Sequence, residues 1–165
     1  MNLKGKNAIV TGGGRGLGKA VAIALAKEGV NIGLTGRNEE HLKNTAEELK
    51  TLGVMAAYYV FSIDNEKAVQ SGIAKLAEEL GGIDILINNA GIGDFGAIAE
   101  MPSETWEQVI KTNLFGAYYA AKAVHPFLKE RGMGDIVNVA STAGLKGGPN
   151  MSAYAASKAA VVSLS

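Results

Sequence analysis

The stretch that most restricts this chain lies near its start. Residues 7–11, Asn-Ala-Ile-Val-Thr, form a short apolar run, and Gly12-Gly13-Gly14-Arg15-Gly16-Leu17-Gly18 follows at once. Residues 19–28 then carry Val21, Ala22, Leu25 and Ala26 at helical spacing, and Gly29 is a natural stop. Strand, glycine run and helix in direct succession make a geometry suited to a pyrophosphate. The glycines let the backbone turn tightly and approach a ligand, while the helix N-terminus offers unpaired N–H groups and a partial positive charge. A glycine run alone is no more than a tight turn. Between a first strand and a first helix, at the spacing Gly12-x-x-x-Gly16-x-Gly18, it is a phosphate-binding candidate.

The rest of the chain repeats the alternation. Strands are expected at residues 31–35, 56–63, 83–87 and 135–140, and helices at 39–52, 65–80, 113–131 and 151–165. A shorter helix opens at Ser103, a plausible N-cap. Asp64 is a candidate cap for the helix after the third strand. The strands are short and apolar without polar alternation, which predicts burial on both faces and therefore a parallel sheet. With right-handed crossovers the fold class is α/β: a doubly wound, Rossmann-like parallel sheet with helices on both faces, in a single domain over 1–165.

Composition narrows the function classes. The chain has 16 basic and 16 acidic residues, so nothing favours nucleic acid or a strongly anionic partner. It contains no cysteine, and its two histidines, His41 and His125, fit no metal spacing, so no metal is expected. No apolar run approaches the ~20 residues of a membrane span. The N-terminus lacks a secretory pattern, and a cytoplasmic enzyme is the default reading.

The end of the second strand speaks to nucleotide type. A free ribose 2′-hydroxyl usually meets an acid there, whereas a 2′-phosphate prefers arginine. Here the chain reads Leu34-Thr35-Gly36-Arg37-Asn38, with no acid. Arg15 lies in the glycine run, and the chain has only three arginines. This favours NADP(H) over NAD(H).

Near the far end, a strand expected to finish at Ser141 leads through Gly144, Gly147, Gly148, Pro149 and Asn150 into an alanine-rich helix. Tyr154 and Lys158 lie four apart on that helix and share a face. A positive charge beside a phenol favours its ionised form. A serine at a strand end can hold a substrate oxygen beside that phenol. Tyr118 and Lys122 repeat the spacing but have no hydroxyl residue at a strand end upstream, so that pair reads as helix surface and packing.

Taken in order, Thr11-Gly12-x-x-x-Gly16-x-Gly18, Asn88-Asn89-Ala90-Gly91, Asn113 within Lys-Thr-Asn-Leu, Ser141 and Tyr154-x-x-x-Lys158 form a set that resembles the short-chain dehydrogenase/reductase family. Within it the chain is most similar to the 3-oxoacyl-[acyl-carrier-protein] reductases of fatty-acid synthesis. The resemblance implies reduction of a 3-oxoacyl thioester carbonyl by hydride from NADPH. Tyr154 would be the general acid and Ser141 would hold the carbonyl oxygen. Lys158 would hold the nicotinamide ribose and tune Tyr154, and Asn113 would break its helix and fix a proton-relaying water. It implies a cofactor site of Gly12, Gly14, Arg15, Gly16, Leu17, Gly18, Arg37, Asn38, Asn88, Ala90, Gly91, Tyr154 and Lys158. Ser62 and Ile63 stand where the family often has an Asp-Val pair at the adenine.

The resemblance also implies about 250 residues in the family's single domain. On that comparison the C-terminal third is absent after the fifth strand and the start of the next helix, and residues 136–140 become an uncovered sheet edge. A homotetramer would form through the helices holding Asn113 and Tyr154. An acidic acyl carrier protein could meet Lys129 and Arg131. Two alternatives stay open at this point: a non-catalytic nucleotide-binding module, and a short-chain dehydrogenase acting on another alcohol or ketone.

Overall fold

Five strands lie parallel in the order β3-β2-β1-β4-β5. They are β1 (Asn7–Thr11), β2 (Asn31–Gly36), β3 (Ala56–Val60), β4 (Ile85–Asn88) and β5 (Asp135–Asn138). This computed structural model describes residues 3–165. Strand order reverses between β1 and β4, so a crevice opens beyond their carboxyl ends.

Side-chain alternation along the strands feeds two separate cores. Ala8, Val10, Ile32 and Leu34 face α1 (Gly16–Lys27) and α2 (Glu39–Lys50) through Ala22, Ala26, Leu42, Ala46 and Leu49. Ile9 and Leu86 face α3 (Glu66–Leu80) and α5 (Gly116–Arg131) through Val69, Ile73, Leu76, Ala120 and Val124. Each fully buried Ile or Leu stabilises by about 1.5–3 kcal/mol, so both layers hold the sheet flat against their helices. The doubly wound expectation is met. The expectation of strands buried on both faces holds for β1, for β4 and for the middle of β2. It does not extend to the sheet edges: β5 leaves Ile136 and Val137 exposed, in line with the uncovered edge expected at 136–140.

Several boundaries differ from the sequence reading. β3 stops at Val60 because β2 runs out of partners at Gly36. Phe61 then turns into the second core over Gly72, where an added Cβ would overlap its ring. Asp84 precedes β4 and uses its carboxylate to accept from the Asn7 amide (2.9 Å). Ser103 is not a cap: Pro102 holds that position and no side chain caps α4 (Ser103–Ile110). Asn65, not Asp64, caps α3 by accepting from the Ala68 amide (3.1 Å). The helix expected from Asn113 begins earlier, as α4 runs through a five-residue π segment, Lys111–Phe115, into α5. After β5 a single 3-10 turn, Thr142–Gly144, leads towards α6 (Ser152–Leu164).

Candidate active site

The glycine run forms the turn from β1 into α1. Gly12 has φ 67°, and a Cβ there would stand 3.0 Å from Asn89 Nδ2 and 3.1 Å from Ala90 Cα. Gly18 is tighter: its Cβ would press on the Gly12 carbonyl and come within 2.5 Å of Asn89 Nδ2. These glycines let the first turn lie directly on the loop after β4. Thr11 joins the two loops, its buried Oγ1 accepting from the amides of Asn89 and Ala90, each at 3.0 Å. Asn89 Nδ2 returns the contact by donating to the Thr11 carbonyl (2.9 Å). No side chain caps α1, which leaves its first-turn N–H groups free at the crevice.

Beyond these loops lies a cleft of about 720 Å³. It gathers most of the expected cofactor positions: Gly12, Gly14, Arg15, Gly16, Leu17, Gly18, Arg37, Asn38, Ser62, Ile63, Ala90 and Gly91. Arg15 and Arg37 both line it, and no Asp or Glu does. Asn38 has a second task, since its side chain caps α2 by accepting from the His41 amide (2.8 Å). Asp64, just outside, accepts from Gln108 (2.8 Å), which also donates to Thr112 in the cleft wall (2.9 Å). Hydrogen bonds from Ser62 and Gln108 hold the Asp64 carboxyl below its usual range.

Asn88 is not in the cleft. Its Nδ2 donates to the Ala117 carbonyl (3.1 Å) and to Asn138 Oδ1 (2.9 Å), bracing β4 against α5 and β5. Asn89, passed over in the sequence reading, takes the cleft position instead. Two adjacent asparagines at a strand end point to opposite sides, and only the strand's exact end decides which is which.

At the other rim of the loop, Asn113 gathers three contacts from the π segment. Its Oδ1 accepts from the Ile92 amide (2.8 Å), and its Nδ2 donates to the Ile92 carbonyl (2.9 Å) and to Ser157 Oγ (2.9 Å). Both side-chain hydrogens are thus taken by protein. The side chain thus splices the loop to α6. Ser157, fully buried and also missed from sequence, donates in turn to the Tyr154 carbonyl (2.7 Å).

Lys158 is 6% exposed and donates to the Val139 carbonyl (2.6 Å) at the end of the β5 stretch. Burial pushes its ammonium below the ordinary lysine value. Its Nζ stands 5.9 Å from the centre of the Tyr154 ring. The loop reaches the same place, since a Cβ on Gly91 would be 3.1 Å from Asn113 Oδ1 and 3.8 Å from Lys158 Nζ. Ser141 follows β5 and accepts from the Ala143 amide (3.2 Å), capping the 3-10 turn. That turn packs on α6 at Gly144, where a Cβ would clash with the Lys158 backbone (2.6 Å). Tyr154, Lys158, Asn113 and Gly91 therefore meet around one rim, with Ser141 at the head of the turn packed against it.

The second Tyr-x-x-x-Lys pair shows what spacing alone produces. Lys122 is half exposed and donates to Glu66 (2.8 Å), which raises its pKa, while the Tyr118 ring faces solvent. Equal spacing gives one buried ammonium and one solvated ion pair.

A doubly wound parallel sheet with a glycine turn at its switch point defines a nucleotide-binding type of α/β protein. The short chain dehydrogenase family model matches residues 6–165, and the chain belongs to that family. It is 34% identical over 164 residues to the 3-oxoacyl-[acyl-carrier-protein] reductase FabG of Thermotoga maritima, across 99% of this chain and 67% of that protein. It is 42% identical over 159 residues to the 2-dehydro-3-deoxy-L-rhamnonate dehydrogenase (NAD(+)) of Sphingomonas sp. (strain SKA58), across 96% of this chain and 62% of that protein. A crystal structure of NAD+-bound xylitol dehydrogenase superposes with a TM-score of 0.96 at 39% identity, across 99% of this chain and 64% of that one. The chain thus spans about two thirds of the length of such relatives. Among the described residues no helix is long and apolar enough to cross a membrane.

Proposed function

We propose that the chain carries the catalytic groups of an NADPH-dependent carbonyl reductase. The observation that carries this reading is the shared rim: the cleft loop at Gly91 touches Asn113 and approaches Lys158, four residues from Tyr154 on α6. The cleft fits a dinucleotide. The uncapped N-terminus of α1 and the open backbone at Gly16 suit a pyrophosphate. Arg15 and Arg37, with no carboxylate in the lining, suit a 2′-phosphate and support NADP(H) over NAD(H).

A bound nicotinamide would supply the hydride. Tyr154 then donates its phenolic proton to the carbonyl oxygen, and Ser141 Oγ holds that oxygen in line. Lys158 places a positive charge at the rim and would bind ribose hydroxyls with the hydrogens not given to Val139. Asn113 and Ser157 fix the first turn of α6, where Tyr154 sits. The substrate we favour is a 3-oxoacyl thioester reduced to the 3-hydroxyacyl thioester. It rests on the motif resemblance and on likeness to proteins named as reductases of that class. An acyl carrier and a homotetramer belong to the same proposal. For the carrier, Lys129 is the freer of the two cations suggested, because Arg131 donates to the Gly81 carbonyl (2.6 Å).

Replacing Tyr154 with Phe tests the assignment. Turnover of acetoacetyl thioester is expected to fall by at least a hundredfold, while NADPH binding, followed by fluorescence titration, is unchanged. Undiminished turnover would reject Tyr154 as the proton donor. Binding by the unaltered chain without any oxidation of NADPH would support the non-catalytic module instead.

A further inference from the structure

We infer that Asp64 and Gln108, standing behind the cleft wall, fix the hydrogen-bond polarity of Ser62 and Thr112 and thereby select a 6-aminopurine base over a 6-oxopurine one. The inference rests on the dinucleotide reading of the cleft. Tyr154 and Lys158 place the reactive half of such a ligand at the β5 side of the sheet, and the α1 N-terminus takes the phosphates at β1. The other half is then left to the ends of β2 and β3, where Arg37, Asn38, Ser62 and Ile63 line the cleft. Thr112, from the π segment, lines it as well.

A chain of hydrogen bonds joins the two hydroxyl residues from outside. Asp64 Oδ2 accepts from Gln108 Nε2 (2.8 Å), and the same nitrogen donates to Thr112 Oγ1 (2.9 Å). At its other end the Asp64 carboxyl takes a hydrogen bond from the Ser62 side chain. Ser62 and Gln108, with the Lys111 charge nearby, keep that carboxyl ionised at neutral pH. An ionised carboxylate only accepts, so it dictates the direction of every bond beside it. Gln108 must turn its NH2 group towards Asp64, and the second hydrogen of that nitrogen goes to Thr112. The Thr112 oxygen is thereby committed as an acceptor, and its own hydrogen has no partner among the described residues. Ser62 spends its hydrogen on Asp64 and keeps its oxygen lone pairs. The wall therefore presents a donor at Thr112 and an acceptor at Ser62.

The Watson–Crick edge of adenine carries the complementary pair: the 6-amino group donates and N1 accepts. Hypoxanthine has the same outline with both reversed, a 6-oxo acceptor and an N1–H donor. Against this wall each of its groups meets its like, and bonds given up to water are not replaced. Asp64 and Gln108 need not touch the base. They are positioning residues that act through the two hydroxyls.

The test titrates the full 165-residue chain by fluorescence with NADPH and with its hypoxanthine counterpart, deamino-NADPH. The unaltered chain is expected to bind NADPH at least about tenfold more tightly. Thr112→Val removes the donor and should bring the two affinities to within about threefold. The double variant Asp64→Asn/Gln108→Glu keeps the link but reverses it: the new amide donates to the new carboxylate, which takes the Thr112 hydrogen. It should abolish the preference or turn it towards deamino-NADPH, whereas a purely structural link would survive the reversal with the preference unchanged. Should the double variant fail to fold, Thr112→Val decides alone. Equal affinities in the unaltered chain, or an unchanged preference in a folded variant, overturn the inference and leave the dinucleotide reading intact. Binding of neither nucleotide by the unaltered chain overturns that reading, and this inference with it.

Discussion

Lys158 and Lys122 follow tyrosines at the same interval, and one is buried while the other is in water. Their titrations therefore act on stability in opposite directions. Lys122 gains Glu66 on folding, so its contribution is present at neutral pH and lost as pH rises through its raised value. The Lys158 ammonium is desolvated, and its folded pKa lies below the unfolded value of about 10.5. In the window between those two values the unfolded chain binds more protons. The cost of burial is thus fully present below the folded value and is relieved as pH rises through it. Thermal unfolding of the unaltered chain and of Lys158→Met between pH 7 and 10 checks this. The stability of the unaltered chain relative to the variant should rise with pH, and a flat difference would contradict the desolvation account. At this scale the sequence was partly readable. Residue type and spacing pointed to Tyr154 and Lys158, whereas Asn89 was quoted in its motif without a task and Ser157 was passed over. Their roles depend on which side of a strand end or helix turn they occupy, and that is fixed only when neighbouring elements pack.

The π segment Lys111–Phe115 is the element on which the site turns. It holds Asn113, 2% exposed, at the point where the loop after β4 and α6 come together. Asn113→Leu removes two hydrogen bonds to Ile92 and one to Ser157, and leaves the half-buried Ile92 amide and carbonyl without their side-chain partner. With about 1 kcal/mol for each such half-buried group, the low end of the range for lost hydrogen-bond partners, a loss of about 2 kcal/mol is expected in chemical denaturation. Loss within 0.5 kcal/mol would mean that solvent replaces the splice at no cost. Hydrophobic periodicity disclosed where helices and strands exist but not where they stop. β3 ends because its partner strand ends, and α3 is capped by Asn65 although Asp64 stood one position nearer the strand. Nor does periodicity distinguish a π turn from an α turn, since one extra residue in a bend leaves the apolar pattern nearly unchanged.

Across the whole molecule, the alternation of elements announced a doubly wound sheet, but burial was overdrawn at its margins. The strand pattern alone treats every apolar strand alike, whereas the family resemblance implied an uncovered edge at 136–140, and there β5 leaves Ile136 and Val137 facing water. What the sheet does settle is where its halves meet. At the β1–β4 boundary the Thr11 hydroxyl takes two amides from one side, and Asn89 reaches back to the other. The loop after β4 is therefore stitched to the central strand through the buried Thr11 hydroxyl. Under deuterium exchange the amides of Asn89 and Ala90 should lag with those of β1, not with the mobile connections, and Thr11→Val should speed them selectively. Fast exchange in the unaltered chain would mean that the seam opens locally. If it stays shut, ordering of either cleft-lining loop is transmitted to the other without any hinge between them.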